Sequence, residues 1–326
     1  MTENEFLLED RLGVIRDTIT KYGEDKFYLS FSGGKDSTVV HHLLDMALPD
    51  NKIPRVFSNT GMEYKAISEF VQSRNDERIV IIPPTKNIPQ TLQKVGYPFK
   101  SKLYSEHYSI YRRNKDAIHR ELERIKENPK LLESYDYIHN LPKGVKTVIK
   151  YMFNIRERER ERVENFINFM GFPEKLRYQW YEDFNISDKC CTEFKEKPMD
   201  KWSRGNHKPI VITGMMKEEG GRRGSTKCIG HFRGRTTFNP LAIVSIEWEN
   251  WFIQEHHIEL CKLYYPPYNY ERTGCRGCPF NVNLQDDLNK MSPSERKACE
   301  TVFKPVYDEY RRIGYRLKKE EQLKLL

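Results

Sequence analysis

A glycine pair set between a strand-like run and a helix-like run most constrains what this chain can fold into. The pair lies in Ser32-Gly33-Gly34-Lys35-Asp36-Ser37, which follows a β-prone stretch at 26–31 and leads into helical spacing at 37–46. Two glycines permit positive φ and leave no Cβ between backbone and ligand. Amides of the turn and of the first helical residues then point at one place, where the helix dipole favours an anion.

This pattern predicts an anion-binding loop, in which the Lys35 ammonium adds a positive charge. The hydroxyl donors available to it are those of Ser32, Ser37 and Thr38. The run is not a Walker A motif, because the GxxxxGK[ST] spacing is absent. A plain glycine turn followed by a helix cap is the alternative interpretation.

Strand and helix patterns alternate on both sides of this loop. The β-prone runs are 26–31, 55–58, 78–82 and 209–214. The helical patterns are 5–22, 37–46, 66–73 and 248–263. This alternation predicts an α/β fold with a doubly wound parallel sheet. From about residue 100 to 184 the chain is charge-dense with helical spacing and no strand pattern, and we expect a helical insertion there, with a solvated helix face at 156–162.

The run Ser32–Ser37 resembles the PP-loop of the ATP-pyrophosphatase and phosphoadenosine-phosphosulfate (PAPS) reductase superfamily. Further segments are similar to conserved parts of the PAPS reductases. These are Phe57–Gly61 (their second-strand segment beside the adenosine), Gly96–Pro98 (a Gly-x-Pro turn), Thr213–Gly214 (their third loop), and Asn239–Leu241 followed by Trp248 (their "NPL…W" element).

The resemblance implies a PP-loop, adenine nucleotide alpha hydrolase-like domain at 1–99 and 186–250, a helical insertion at 100–185 and a Cys-bearing C-terminal segment at 251–326. It implies ATP, PAPS or adenylylsulfate as the bound nucleotide, with Mg²⁺ offsetting its charge. The residues it assigns to nucleotide binding are Ser30, Ser32, Gly33, Gly34, Lys35, Asp36, Ser37, Asn59, Thr60, Gly61, Gly214, Arg222 and Arg223.

Two positions depart from the family pattern. Asn59 stands where the family usually has Asp, and Met215 stands where it usually has Arg. Arg222 and Arg223 follow a few residues later and are expected to supply the missing charge. The departures bear on which nucleotide is bound.

Four of the seven cysteines form two close pairs, Cys190-Cys191 and Cys275-Arg276-Gly277-Cys278. Close pairs far apart in sequence usually converge on a metal. Adjacent cysteine side chains diverge, which is awkward for one zinc ion, whereas separate irons of a cubane can each take one thiolate. The same CC…CxxC order occurs in cluster-bearing adenylylsulfate reductases. We expect a [4Fe–4S] cluster on Cys190, Cys191, Cys275 and Cys278, with zinc or free buried thiols as alternatives.

The other cysteines have different expectations. Cys261, placed on the helix at 248–263, and Cys299 are expected in the core. Cys228 lies among basic residues, and a positive field lowers a thiol pKa and favours the thiolate. It is a candidate reactive residue, with a structural role as the alternative.

Sulfonucleotide reductases use a nucleophilic cysteine in a C-terminal Glu-Cys-Gly-(Leu/Ile)-His tail, and this sequence has no cysteine after Cys299. The leading expectation is therefore ATP-dependent adenylyl or sulfur transfer with release of pyrophosphate, with Lys35, Asp36 and Cys228 as candidate catalytic residues. The alternatives are a PAPS or adenylylsulfate reductase and a non-catalytic nucleotide- or nucleic-acid-binding module.

Composition bounds the partners. The net charge of +8 suits phosphorylated ligands, and no apolar stretch approaches a membrane span. A basic, glycine-rich run at 215–235 is expected to be a loop over the nucleotide or a larger anion. Aromatic residues among basic ones at 100–184 suit nucleic-acid stacking or, alternatively, packing. A sulfur- or electron-donor protein is possible, and a cytoplasmic location is expected.

Overall fold

In the computed structural model, residues 1–153, 155, 184–220, 223–232 and 234–318 are described. The described residues within 1–86 and 193–276 form one compact unit, and those within 87–192 and 277–326 form another. These boundaries differ from the expected domains at 1–99 with 186–250, 100–185 and 251–326. Residues just before residue 100 join the second unit, where Tyr97 pairs with Ile186 in an isolated parallel bridge.

The first unit contains a six-stranded sheet. Its strands are β1 (Phe27–Ser30), β2 (Arg55–Ser58), β3 (Ile79–Ile82), β4 (Ile210–Ile212), β5 (Ile229–Phe232) and β6 (Arg235–Phe238). They lie in the order β3-β2-β1-β4-β6-β5, and all neighbours are parallel except β5 and β6. The expected α/β fold with a mostly parallel sheet is confirmed.

Fourteen helices of the described residues surround these strands along the chain. They are α1 (Glu3–Tyr22), α2 (Lys35–Ala47), α3 (Lys65–Ser73), α4 (Ile88–Val95), α5 (Lys102–Arg113), α6 (Lys115–Glu127), α7 (Tyr135–Asn140), α8 (Lys143–Met152), α9 (Lys189–Cys191), α10 (Lys197–Gly205), α11 (Ile246–Glu255), α12 (Leu284–Lys290), α13 (Pro293–Val302) and α14 (Lys304–Ile313). A π-helical stretch, Thr192–Glu196, joins α9 to α10.

The core of the first unit is built around β1. Phe27, Tyr28 and Leu29 are all buried, although successive side chains point to opposite faces of a sheet. Both faces of this strand are therefore covered, as in parallel sheets generally. In α2, the residues buried on the core side include Val39, Val40, Leu43 and Leu44.

The order in which strands are added to the sheet reverses direction at β1. From β1 the sheet is extended through β2 to β3, and the chain then returns to β4 on the other side of β1. The loops after β1 and β4 therefore leave the same edge of the sheet as neighbours. Open α/β sheets bind ligands at such a switch point, outside the carboxyl ends of the strands.

The structure differs from two sequence expectations. The run at 215–235 is not a loop throughout, because it contains β5 and the first residue of β6, with Gly234 at φ 76° in the connection. The helix expected at 248–263 ends at Glu255, since His257 adopts a left-handed φ of 49°. Cys261 lies at the start of a 3₁₀ turn, Lys262–Tyr264, and is buried as expected.

The second unit is helical over residues 100–153, as expected. Tyr104, Tyr108 and Tyr111 of α5 are buried, and Phe99 packs on Tyr104 and Tyr310. These tyrosines contribute to a core, so the packing interpretation holds for them. The helix face expected at 156–162 lies outside the described residues. Across the described ranges, we find no helix with the length and apolar character that crossing a membrane requires.

Candidate functional site

Gly33 shapes the turn that joins β1 to α2. Its φ is 69°, and a Cβ on it would lie 2.7 Å from Val71 Cγ2 and 3.3 Å from Ile67 Cγ2. The backbone therefore lies directly on α3 in a conformation that glycine adopts without strain. Gly34 is the N-cap residue of α2, and no side chain caps this helix end. Any acceptor for the first N–H groups of the helix must therefore come from elsewhere in the chain or from a ligand.

Serine hydroxyls hold the turn together. The Gly34 N–H donates to Ser32 Oγ at 3.3 Å, and the Ser32 and Ser37 hydroxyls lie 3.0 Å apart. Ser37 and Thr38 both donate to the Gly34 carbonyl, at 3.0 and 2.9 Å. Thr38 is fully buried, so its hydroxyl stabilises the start of α2 and is not turned toward a ligand.

A second pair of hydroxyls lies over the start of α2. The Lys35 N–H donates to the Tyr264 hydroxyl at 3.0 Å, and this hydroxyl lies 2.6 Å from Thr273 Oγ1. A Cβ on Gly34 would lie 3.3 Å from Thr273 Oγ1 and 3.4 Å from the Tyr264 oxygen. Burial raises the pKa of Tyr264 to about 12, so the phenol stays neutral. The neutral Tyr264 hydroxyl therefore accepts the hydrogen bond from the Lys35 N–H that a phosphate oxygen at this place would accept.

The loop after β4 closes the site on another side. A Cβ on Gly214 would lie 2.8 Å from Asp36 Cβ and 2.9 Å from the Asp36 carbonyl carbon and oxygen. The loop is held by Thr213, whose Oγ1 donates to Asn239 Oδ1 at 2.6 Å. Asn239 is buried and donates in turn to the Lys227 carbonyl at 2.7 Å. The "third loop" and "NPL" segments thus act together to place Gly214 against α2.

The loop after β2 lies at the same edge of the sheet. Asn59 Oδ1 accepts from the Gly61 N–H at 2.9 Å, which forms a tight turn with Gly61 at φ 81°. The Thr60 N–H and hydroxyl both donate to Glu63, at 2.8 and 2.9 Å. The side chains of Asn59 and Thr60 therefore shape this turn. Ser30, the last residue of β1, is paired with Val56 of β2.

Lys35 is held by α11. Its Nζ lies 2.9 Å from Glu249 Oε2 and 3.3 Å from Asn250 Oδ1. Glu249 is fully buried. Burial and the nearby Asp36 charge raise the pKa of Glu249 to about 7, against the opposing effect of Lys35.

The basic run contributes an ion-pair cluster. The buried carboxylate of Glu219 pairs with Arg223 and with Arg272. Arg223 therefore lies in a charge cluster of the first unit, whereas Arg222 lies outside the described residues. Cys228 is half-buried, and burial raises its pKa, opposed by the nearby Arg11. This is the opposite direction to the one the basic sequence context suggests.

No group of three or more His, Cys, Asp or Glu side chains within the described ranges has the arrangement of a metal site. Of the four cysteines expected to bind a cluster, Cys275 belongs to the first unit and Cys190, Cys191 and Cys278 to the second. The cluster stays a prediction.

The comparison with protein families decides the relationship. The model of the phosphoadenosine phosphosulfate reductase domain matches residues 26–131 and 124–281, which is well over half of the chain. The chain belongs to this family. The matched region of the PAPS reductase domain includes the turn at Gly33, the loops after β2 and β4, and the pair Cys275 and Cys278.

Curated relatives and a solved structure were also found. The chain is 28% identical to a glutamine-hydrolysing GMP synthase of Thermosipho africanus over 54% of its length, and 28% identical to that of Thermosipho melanesiensis over 60%. It spans only 32% and 38% of these relatives' own lengths. A phosphate complex of PAPS reductase from Candida auris is similar with a TM-score of 0.42 and 11% identity, over 84% of this chain and 96% of that one.

The residues of this PAPS reductase domain that sequence reasoning missed all come from late in the chain. Glu249, Tyr264 and Thr273 contact the turn from more than 200 positions away. A weak signal existed for Glu249, because it lies on the same helix face as the buried Phe252, three residues on. No local pattern marks Tyr264 or Thr273.

Proposed function

We propose that the first unit binds an adenine nucleotide and catalyses adenylyl or sulfur transfer from ATP with release of pyrophosphate. The observation that carries this proposal is the start of α2 behind Gly33 and Gly34, where the N-cap residue has no side chain to cap the helix, at the switch point of the sheet. A helix start of this kind binds phosphate through main-chain N–H groups and the helix dipole. Membership of the PAPS reductase domain family supports adenosine as the rest of the ligand.

The proposed reaction is a displacement at the α-phosphorus. A nucleophile of the acceptor forms a bond to this phosphorus while the bond to the bridging oxygen breaks, and pyrophosphate leaves with the electron pair. The protein contributes mainly position and charge: N–H groups from the turn bind phosphate oxygens, and the Lys35 ammonium offsets the charge that develops. Mg²⁺, which neutralises phosphate charge, is expected to arrive with the nucleotide. Asp36 stays a predicted catalytic residue.

A PAPS or adenylylsulfate reductase is the second candidate, and the name of the matched family favours it. Such chemistry needs an activated thiol. Burial raises the pKa of Cys228, and Cys299 is fully buried, so neither of the two cysteines considered for this role has the features of a reactive thiolate. These observations favour transfer from ATP. A nucleotide- or nucleic-acid-binding module without turnover is the third candidate.

Product analysis separates the three candidates. Purified protein is incubated with ATP and Mg²⁺, or with PAPS or adenylylsulfate and a dithiol. We expect AMP and pyrophosphate from ATP, with water accepting slowly when no other acceptor is present. Sulfite from a sulfated nucleotide without pyrophosphate from ATP would establish the reductase instead, and binding of nucleotide without any product would establish the module.

The Lys35→Ala variant tests the role of the ammonium. We expect pyrophosphate formation to fall by about tenfold or more, because a charge-assisted contact to phosphate is lost. Lys65→Ala is the matched control, since Lys65 is likewise the first residue of a helix, and its side chain is 80% exposed. Equal rates in the two variants would contradict the assigned role.

A further inference from the structure

Glu249 is an unusual residue to find beside a phosphate-binding turn. Its carboxyl is fully buried on α11, and its ion pair with Lys35 spans 2.9 Å. Apart from this pair, neither of its oxygens has a hydrogen-bond partner among the described residues. A buried carboxylate with a single partner is costly, and removing that partner leaves an uncompensated charge. The charge of the Glu249 carboxyl therefore depends on where the Lys35 ammonium lies.

The charges that act on Glu249 come from α2. Lys35 favours the ionised carboxyl, and Asp36 disfavours it, as does burial. On α11 itself, the Asn250 side-chain oxygen accepts from the Lys35 ammonium at 3.3 Å. The start of α1 meets α11 where the Trp248 indole donates to the Asn4 carbonyl, and α1 adds no charge that acts on this carboxyl among the described residues. Without Lys35, every remaining influence favours the protonated form.

A nucleotide at the turn would compete for the same ammonium. ATP brings several negative charges to the start of α2, where Lys35 is the first residue, whereas Glu249 offers one. We infer that Glu249 is a positioning residue that holds the Lys35 ammonium while no nucleotide is bound, and that it takes up a proton when the phosphates draw this ammonium away. The inference rests on the proposed nucleotide binding and names a regulator of that same site.

Proton uptake by Glu249 on binding makes the affinity for ATP depend on pH. At every pH at which Glu249 is ionised in the free protein, the ATP-bound protein holds one more proton than the free protein. Because the pKa of Glu249 is about 7, this applies above pH 7. Affinity for ATP should therefore fall as pH rises above 7, by up to about tenfold per pH unit. Below that range the carboxyl is already protonated before binding, and the effect fades.

Calorimetry measures this proton directly. ATP with Mg²⁺ is titrated at pH 8 in HEPES and in Tris, whose ionisation enthalpies differ, so the difference in observed heat gives the protons taken up. We expect the full chain to take up roughly half a proton or more per ATP. Glu249→Gln should take up none and should bind ATP about tenfold more tightly at pH 8, because no proton has to be captured. Glu247→Gln, an exposed acid on the same helix, should behave as the unchanged protein.

Each outcome bears on a different claim. Binding of ATP without proton uptake by the unchanged protein, or with equal uptake by Glu249→Gln, overturns the role of Glu249 and leaves the proposed function intact. No binding of ATP at all overturns both. Thermal unfolding checks that Glu249→Gln is folded; if it is not, the uptake by the unchanged protein decides the question alone.

Discussion

Gly33 and Gly34 are neighbours with different physical reasons for being glycine. At Gly33 the backbone conformation requires glycine, because φ is 69° and a Cβ would lie 2.7 Å from Val71 Cγ2. Gly34 has an ordinary φ of −80°, and what a side chain there would meet is the group of hydroxyls over the start of α2. Gly33 is thus required by its backbone conformation, whereas at Gly34 the absence of a side chain leaves room for these hydroxyls.

Replacing Gly33 should therefore destabilise the protein whether or not a ligand is present. We expect Gly33→Ala to lower the free energy of unfolding by about 1–2 kcal/mol for the left-handed backbone alone, with more from the contact to Val71. Urea unfolding followed by circular dichroism measures this change. Gly13→Ala in α1 is the control: a Cβ there meets nothing within 4 Å, and we expect a gain of about 0.5–1 kcal/mol. A Gly33→Ala protein as stable as the unchanged one would contradict this account.

At the scale of elements, a buried polar network ties the end of α2 to the starts of β2 and β3. Arg55 is fully buried and donates to Asp45 at 2.6 Å and to His41 Nδ1 at 3.2 Å. Arg78 donates to both oxygens of Asp45, at 2.7 and 3.0 Å. A carboxylate near the C-terminus of a helix is unfavourable by itself, and the two arginines compensate for it. The network lies at the amino ends of the strands, away from the candidate site.

His41, His42 and Asp76, in and beside this network, should make the free energy of unfolding fall as pH falls. Burial and Arg55 lower the pKa of His41 to about 3, and burial and Arg74 lower that of His42 to about 4. In the unfolded chain both rings titrate near 6.5, so below pH 6.5 the unfolded state binds protons that the folded state does not. The pKa of Asp76 is lowered to about 2 by its bonds to Arg78 against burial, and its stabilising contribution is lost only below about pH 4.

The histidine contribution can be isolated by substitution. We expect the urea midpoint of His42→Gln to fall less between pH 6.5 and 4 than that of the unchanged protein. The comparison is between variants because Glu249, whose pKa is raised, acts in the opposite direction over this range. His231→Gln, on an exposed residue of β5, should follow the unchanged protein. Parallel curves for all three proteins would show that His42 is not buried in its neutral form.

At the scale of the whole molecule, the turn between β1 and α2 and its contacts belong to the first unit. The expected [4Fe–4S] cluster is tested by anaerobic purification with iron and sulfide analysis and an absorbance scan. We expect iron and sulfide in equal amounts, because a [4Fe–4S] cluster contains four of each. Cys278→Ser should lose both, and Cys261→Ser, at a buried cysteine outside the pairs, should keep them. A colourless protein loaded with zinc would remove the cluster from the account.

Much of the first unit follows from local sequence patterns. β1, β2, β3 and β4 lie within the β-prone runs, and α2 starts at the glycine pair, because strand propensity and glycine freedom are local properties. The β5–β6 hairpin was missed, since it lies in a basic, glycine-rich run; among the described strands, β5 pairs with β6 and β6 pairs with β4. Glu249 was missed for a different reason: its role arises from contact with Lys35, more than 200 positions earlier, and no local rule reports such a contact.

Binding of ATP measured by calorimetry tests the central claim most directly, because the main-chain N–H groups between Gly33 and Ser37 are proposed to receive the phosphates. We expect the unchanged protein to bind ATP with Mg²⁺, and Gly34→Val to lose at least tenfold in affinity while staying folded. A side chain there meets the hydroxyls over the start of α2, which is the place proposed for the phosphate oxygens. Failure of the unchanged protein to bind ATP, PAPS and adenylylsulfate alike, or equal binding by Gly34→Val, would contradict the account.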